Sequence, residues 1–151
     1  MSKIKIAFQG ERGAYSHIAS ELLFKGAEIK PCLTFEETFK IAFDDENYKI
    51  IIPLENSLAG RVSDIHYLLT KYKLQIYSEH FQVVEHNLIV KQNARIEDIK
   101  YVRSHAQAIG QCQKFIKENN FKTIISADTA GSAKELAAND DNSIAAIASN
   151  L

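Results

Sequence analysis

Short apolar runs rich in β-branched residues alternate with stretches of helical period along this chain, and few folds accept that alternation. Lys3 to Phe8 reads as a strand, Gln9 to Ala14 as a turn carrying Gly10 and Gly13, and Tyr15 to Phe24 as an amphipathic helix. Glu28 to Leu33 fits a second strand. Thr34 precedes Glu37 by three residues, a capping-box spacing that opens a helix reaching about Asp44. Lys49 to Leu54 is a third strand, followed by a loop from Glu55 to Gly60. The helix from about Val62 to Tyr72 sets Ile65, Leu68, Leu69 and Tyr72 on one face.

The segment Leu74 to Val90 breaks this rhythm. It is rich in β-branched and aromatic residues and contains neither glycine nor proline, so it is expected to be a strand crossing between two lobes. A second alternation follows: strand Lys100 to Ser104, helix Ala106 to Glu118, strand Thr123 to Ser126, helix Thr129 to Ala138 and strand Ser143 to Ala148. The pattern predicts an α/β fold with mainly parallel sheets, in two lobes of about residues 1–76 and 77–151 flanking a cleft. No internal repeat is visible in the sequence.

Composition narrows the function. With 151 residues, 25% charged residues and a net charge of -1, the chain carries no basic field suited to nucleic acid or an anionic membrane surface. No stretch approaches the roughly 18 apolar residues of a membrane span, and no secretory signal opens the chain, so the cytoplasm is the expected location. Cys32 and Cys112 lie far apart without a C-x-x-C pair, which suggests neither a disulfide framework nor a zinc site. His80 and His86 on the crossing segment lack neighbouring ligands, so no metal is expected.

Ligands of parallel α/β sheets bind beyond the carboxyl ends of the strands, which directs attention to four loops. The first, Gln9 to Ser16, offers the backbone of Ala14, Tyr15 and Ser16 and a serine hydroxyl to an anion at a helix start; its plain alternative is a turn. It lacks the third glycine of a dinucleotide fingerprint. The second sets Glu55, Asn56 and Ser57 in succession with Gly60 free to bend; the cluster either holds a polar ligand, or Asn56 and Ser57 cap the next helix. In the third, Ser104 is a plausible N-cap, His105 sits at a helix start, and Gln107 and Gln111 share a helical face. The fourth puts Thr129 and Ala130 at a helix start, with Asp128 as a cap. No G-x-S-x-G elbow supports a serine hydrolase.

Together the loops resemble the prephenate dehydratase family. Gly10-x-x-Gly13-Ala14-Tyr15-Ser16 is similar to its first loop, and Pro53-Leu54-Glu55-Asn56-Ser57 with Gly60 and Val62 resembles its P-x-E-N-S-x-x-G-x-V signature. Ser104-His105-x-Gln107-Ala108 with Gln111-Cys112 resembles its S-H-P-Q-A segment, Ala106 standing for the proline. Asp128-Thr129-Ala130 and Ala145 to Ser149 resemble its later motifs. The family's Thr-Arg-Phe motif and the regulatory ACT domain that commonly follows are expected to lie beyond this chain.

The resemblance implies a two-lobed fold like the type II periplasmic binding proteins and the decarboxylating dehydration of prephenate to phenylpyruvate in phenylalanine biosynthesis, without a cofactor. It implies Glu55, Asn56, Ser57 and Thr129 as catalytic residues. Substrate-binding positions would be Ala14, Tyr15, Ser16, Asn56, Ser57, Gly60, His86, Ser104, Gln107, Gln111 and Ala130. It further implies a homodimer or homotetramer for the longer protein. The alternatives are arogenate as substrate, or a two-lobed module that binds a small molecule without turnover.

Overall fold

The computed structural model describes residues 4–150, and the architecture is α/β with mostly parallel sheets. Lys3, where the first strand is expected to begin, lies outside the described residues. Backbone contacts divide the chain into two compact units, one running to Val83 and the other starting at Val84.

In the first unit, β1 (Lys5–Gln9), α1 (Tyr15–Leu23), β2 (Glu28–Cys32), α2 (Phe35–Asp44) and β3 (Tyr48–Ile51) form a parallel three-stranded sheet of order β2-β1-β3. The central strand is the most apolar, with Ile6, Ala7 and Phe8 fully buried, as a strand covered on both faces requires. Phe8 lies against the His17 ring of α1, at a centroid distance of 5.4 Å. Ala7 and its neighbour Ile50 point the other way, where Ile50 packs with Phe39 of α2 and with Ile65 and Leu68 of α3 (Ser63–Tyr72). A two-stranded hairpin, β4 (Glu55–Asn56) and β5 (Gly60–Arg61), precedes α3.

The second unit holds β6 (Asn87–Ile89), a 3₁₀ turn at Ile96–Asp98, β7 (Tyr101–Ser104), α4 (Ala106–Gln111), α5 (Gln113–Glu118), β8 (Lys122–Ile125), α6 (Thr129–Ala138) and β9 (Ile144–Ala148). Its sheet runs β6-β9-β7-β8, parallel except for β6. All five residues of β9 are buried. Ala145 and Ile147 pack with Ile109 of α4 and Ile116 of α5, while Ile144 and Ala146 pack with Leu136 of α6. Three alanines in this strand keep its faces flat and let the helices approach.

Two expected elements differ. The segment Leu74 to Val90 is not a strand over its length: only Asn87–Ile89 pairs, against β9, and among the described residues no other strand pairs with the rest. The helix expected over Ala106 to Glu118 breaks at Cys112 (φ -99°, ψ 11°), whose N–H divides between the carbonyls of Ala108 and Ile109.

The expected cap of α2 is present. Thr34 Oγ1 accepts from Glu37 N–H at 3.1 Å, and Glu37 Oε2 accepts from Leu33 N–H at 2.9 Å. Glu36 accepts from Lys71 Nζ at 2.6 Å and Tyr72 Oη at 2.5 Å, tying α2 to α3 and holding its carboxyl below the ordinary range. Thr34→Ala is expected to destabilise the chain by about 1 kcal/mol, read from denaturant midpoints at unchanged m.

Candidate active site

The crossovers of the first unit leave β1 on opposite sides, so β1 and β3 meet at a switch point where their carboxyl ends open. The chain leaving β3 runs directly into the β4-β5 hairpin. There Asn56 Oδ1 accepts from Leu58 N–H at 2.9 Å and Ala59 N–H at 3.0 Å, which folds the turn around its own carboxamide. Gly60 sits at φ 81° with open space around its α-carbon, so glycine is needed for its conformation rather than for fit. Glu55 and Ser57 are exposed.

Neither Asn56 nor Ser57 caps the next helix. The N-cap of α3 is Val62, which makes no side-chain cap bond, because the hairpin already holds the Asn56 oxygen. In the first loop, Gly13 N–H donates to His17 Nδ1 at 3.2 Å and Ala14 N–H to the Glu11 carbonyl at 3.1 Å. The Ala14 donor is thus engaged inside the protein; Tyr15 and Ser16 form the first turn of α1, both half-buried.

In the second unit the carboxyl ends of β7, β8 and β9 emerge at one edge. Antiparallel β6 starts at that same edge, Asn87 lying opposite Ala148. His86, one residue earlier, is brought to the last residue of α4, and its Nε2–H donates to Gln111 Oε1 at 2.7 Å. Gln107 shares the exposed face of α4. Two residues 25 positions apart in sequence are thus joined by one hydrogen bond.

Ser104 is not the N-cap of α4. That place belongs to His105, whose Nδ1 accepts from Gln107 N–H at 3.3 Å. Ser104 is fully buried at the end of β7, and its hydroxyl donates to the Ile147 carbonyl of β9 at 2.6 Å, closing the switch point of this sheet. At α6, Asp128 Oδ1 accepts from Gly131 N–H at 2.6 Å. A carboxylate already sits at this helix start, so the backbone near Ala130 is a poor receptor for a second one. Thr129 is half-buried in the first turn, and among the described residues no protein group bonds its hydroxyl.

Burial pushes the Cys112 thiol up, and it pushes the Cys32 thiol up against the opposing Thr38 hydrogen bond. Neither is a ready thiolate at neutral pH.

Sequence reasoning missed His105 as a cap and also an open groove in the first unit, lined by Gln9, Thr34, Phe35, Glu36, Asp64, Tyr67 and Leu68. Gln9 at the end of β1 was the available signal, since it opens the first loop. The groove includes none of the expected site residues, and its Glu36 is engaged by Lys71 and Tyr72.

Residues 6–151 match the sequence model of a family described as prephenate dehydratase. The chain belongs to the prephenate dehydratase family. Arogenate dehydratase/prephenate dehydratase 2 of Arabidopsis thaliana is 35% identical over 148 residues, which cover 98% of this chain and 39% of that protein. A bifunctional N-acyl-homoserine lactone acylase/prephenate dehydratase of Komagataeibacter europaeus is 40% identical over 129 residues, 85% of this chain and 46% of the relative. The chain therefore spans less than half the length of these relatives. Among solved structures, a quorum-quenching acylase, GqqA, superposes with a TM-score of 0.88 at 38% identity, covering 97% of this chain and 54% of that one. The prephenate dehydratase of Staphylococcus aureus superposes at 0.80 and 26% identity, covering 95% and 54%.

Family membership accounts for the four loops lying together on the chain, while the hydrogen bonds show what holds each one. The Asn56 pair is the clearest case. Asn56→Ala is expected to speed amide exchange at Leu58 and Ala59 about tenfold or more, whereas Asn56→Asp keeps the acceptor and changes little. Residue-resolved hydrogen exchange reads both.

Proposed function

We propose that this chain supplies most of the substrate site of a dehydratase that converts prephenate to phenylpyruvate with loss of water and carbon dioxide. The match to the family over residues 6–151 carries this reading, because it spans all four loops. The units would act as the two lobes of a type II periplasmic-binding-protein-like fold, each presenting the carboxyl edge of its sheet to substrate. The cytoplasm is the proposed location.

Prephenate carries two carboxylates and a ring hydroxyl. The C–O bond to the hydroxyl breaks as the C–C bond to the ring carboxylate gives its electrons to the ring, and one proton leaves with the hydroxyl as water. Aromatisation drives the step, so the protein need only hold the carboxylates, donate to the departing oxygen and let the ring carboxylate lose solvation. Ser57 and Thr129 supply hydroxyl donors, Asn56 holds the turn that presents Ser57, and Glu55 flanks it. Gln107 and Gln111 offer amides from α4, with Gln111 oriented by His86. Ser104 acts from behind as a strut between strands, and Tyr15 and Ser16 supply the helix start facing a carboxylate.

Arogenate is the competing substrate, since the relatives carry both names. A second reading is hydrolysis of N-acyl-homoserine lactones, favoured by the names of the 40% identical relative and of GqqA. Prephenate, arogenate and an acyl-homoserine lactone should be offered in turn, with phenylpyruvate, phenylalanine and released fatty acid quantified against enzyme-free controls. Prephenate is expected to give phenylpyruvate above the control; fatty acid as the only product would replace the reading. In a protein extended to family length, Ser57→Ala is expected to lower kcat about 100-fold. A loss of only a few-fold would remove Ser57 from the chemistry.

A further inference from the structure

Among the described residues one histidine is buried: His17 of α1, 5% exposed, with its ring against Phe8 of β1. Its Nδ1 accepts from Gly13 N–H at 3.2 Å, so the ring proton sits on Nε2 and the imidazole is neutral in this bond. Nε2 lies 3.5 Å from Glu21 Oε1, one turn along the same helix, and makes no hydrogen bond. An imidazole buried with one nitrogen unsatisfied costs free energy, and the bond to Gly13 is what the position gains in return.

That bond repeats the geometry at the start of α2 with a different chemistry. There Glu37, three residues after the N-cap Thr34, accepts from the N–H of Leu33, the residue before the cap. In α1 the N-cap is Ala14, and His17, three residues on, accepts from Gly13, the residue before it, held at φ 91°. Glu37 does this with a carboxylate, and acids also stand at the starts of α3 (Asp64) and α6 (Asp128). At α1 neither the N-cap nor the first turn carries an acid, and the N-cap makes no side-chain bond. The loop before it carries one acid and one base, Glu11 and Arg12. A neutral imidazole thus folds the loop without placing a negative charge at the positive end of the helix.

We infer that His17 is a positioning residue for substrate, and that the helix start it shapes holds the side-chain carboxylate of prephenate rather than the ring carboxylate. The inference rests on the dehydratase reading. The ring carboxylate leaves as neutral carbon dioxide, so a positive helix end against it would stabilise the very charge that must be lost. The side-chain carboxylate passes unchanged into phenylpyruvate. Contacts to it are equal before and during the step, so they set KM and product affinity and leave kcat alone.

The test uses the protein extended to family length. His17→Glu is combined with Glu21→Gln, which removes like charges four residues apart; Glu21→Gln alone is the control and is expected to match the wild type. The double variant keeps an acceptor for Gly13 but adds a carboxylate. It is expected to raise KM for prephenate about tenfold or more, and the inhibition constant of phenylpyruvate by the same factor, with kcat within about threefold. His17→Gln in the same background, a neutral acceptor, is expected to restore both constants. His17→Leu is expected to speed amide exchange at Gly13 about tenfold or more, and His17→Gln to restore slow exchange.

An unchanged KM in the Glu variant, a loss confined to kcat, equal losses in the Glu and Gln variants, or unchanged Gly13 exchange in the Leu variant would each overturn the inference. An extended wild type that makes no phenylpyruvate overturns the dehydratase reading and this inference with it. Turnover without the listed responses overturns the inference alone.

Discussion

Parallel strands cannot be joined by a tight turn, and the rest of this structure depends on that constraint. Each crossover must carry a helix back along the sheet, so every parallel strand exits at the same edge and every crossover begins there. The first unit meets the requirement with β1-α1-β2-α2-β3 in the order β2-β1-β3. The second meets it again with β7, α4 and α5, β8, α6 and β9, in the matching order β8-β7-β9. No repeat is visible in the sequence, yet the topology is repeated, because handedness and connection length act on apolar pattern rather than on residue identity.

The same constraint explains why the loops with chemistry are where they are. The hairpin of Asn56, the Ser104-His105 corner and the Asp128 cap all lie at carboxyl ends of parallel strands or one connection beyond them. Local chemistry then divides them. Ser104 and Asp128 spend their side chains on the protein itself, while Ser57, Gln107 and Thr129 leave theirs available. A motif residue can therefore be spent on the sheet itself, as Ser104 is in tying β7 to β9.

Much of this was legible from residues alone. Thr34 with Glu37 and Asp128 with Gly131 are cap signals read within four positions, and the amphipathic period of α2 and α3 follows from burial of Phe39, Ile65 and Leu68. The failures share a cause. Strand propensity over Leu74 to Val90 measures fit to a pleated neighbour, and outside Asn87–Ile89 the described residues provide none. The β4-β5 hairpin is too short to show a period, and the helices on either side of the break at Cys112 both pack into one core through Ile109 and Ile116. The pairing of His86 with Gln111 required the antiparallel turn of β6, which no local pattern announces.

We propose that substrate is received at the carboxyl edges of the two sheets. Amide chemical-shift mapping of the isotope-labelled chain during titration with prephenate tests it most directly. The account predicts shifts gathered at residues 55–60, 104–111 and 128–131. Shifts confined to the groove of Gln9, Thr34, Asp64 and Tyr67, with those loops unmoved, would contradict it.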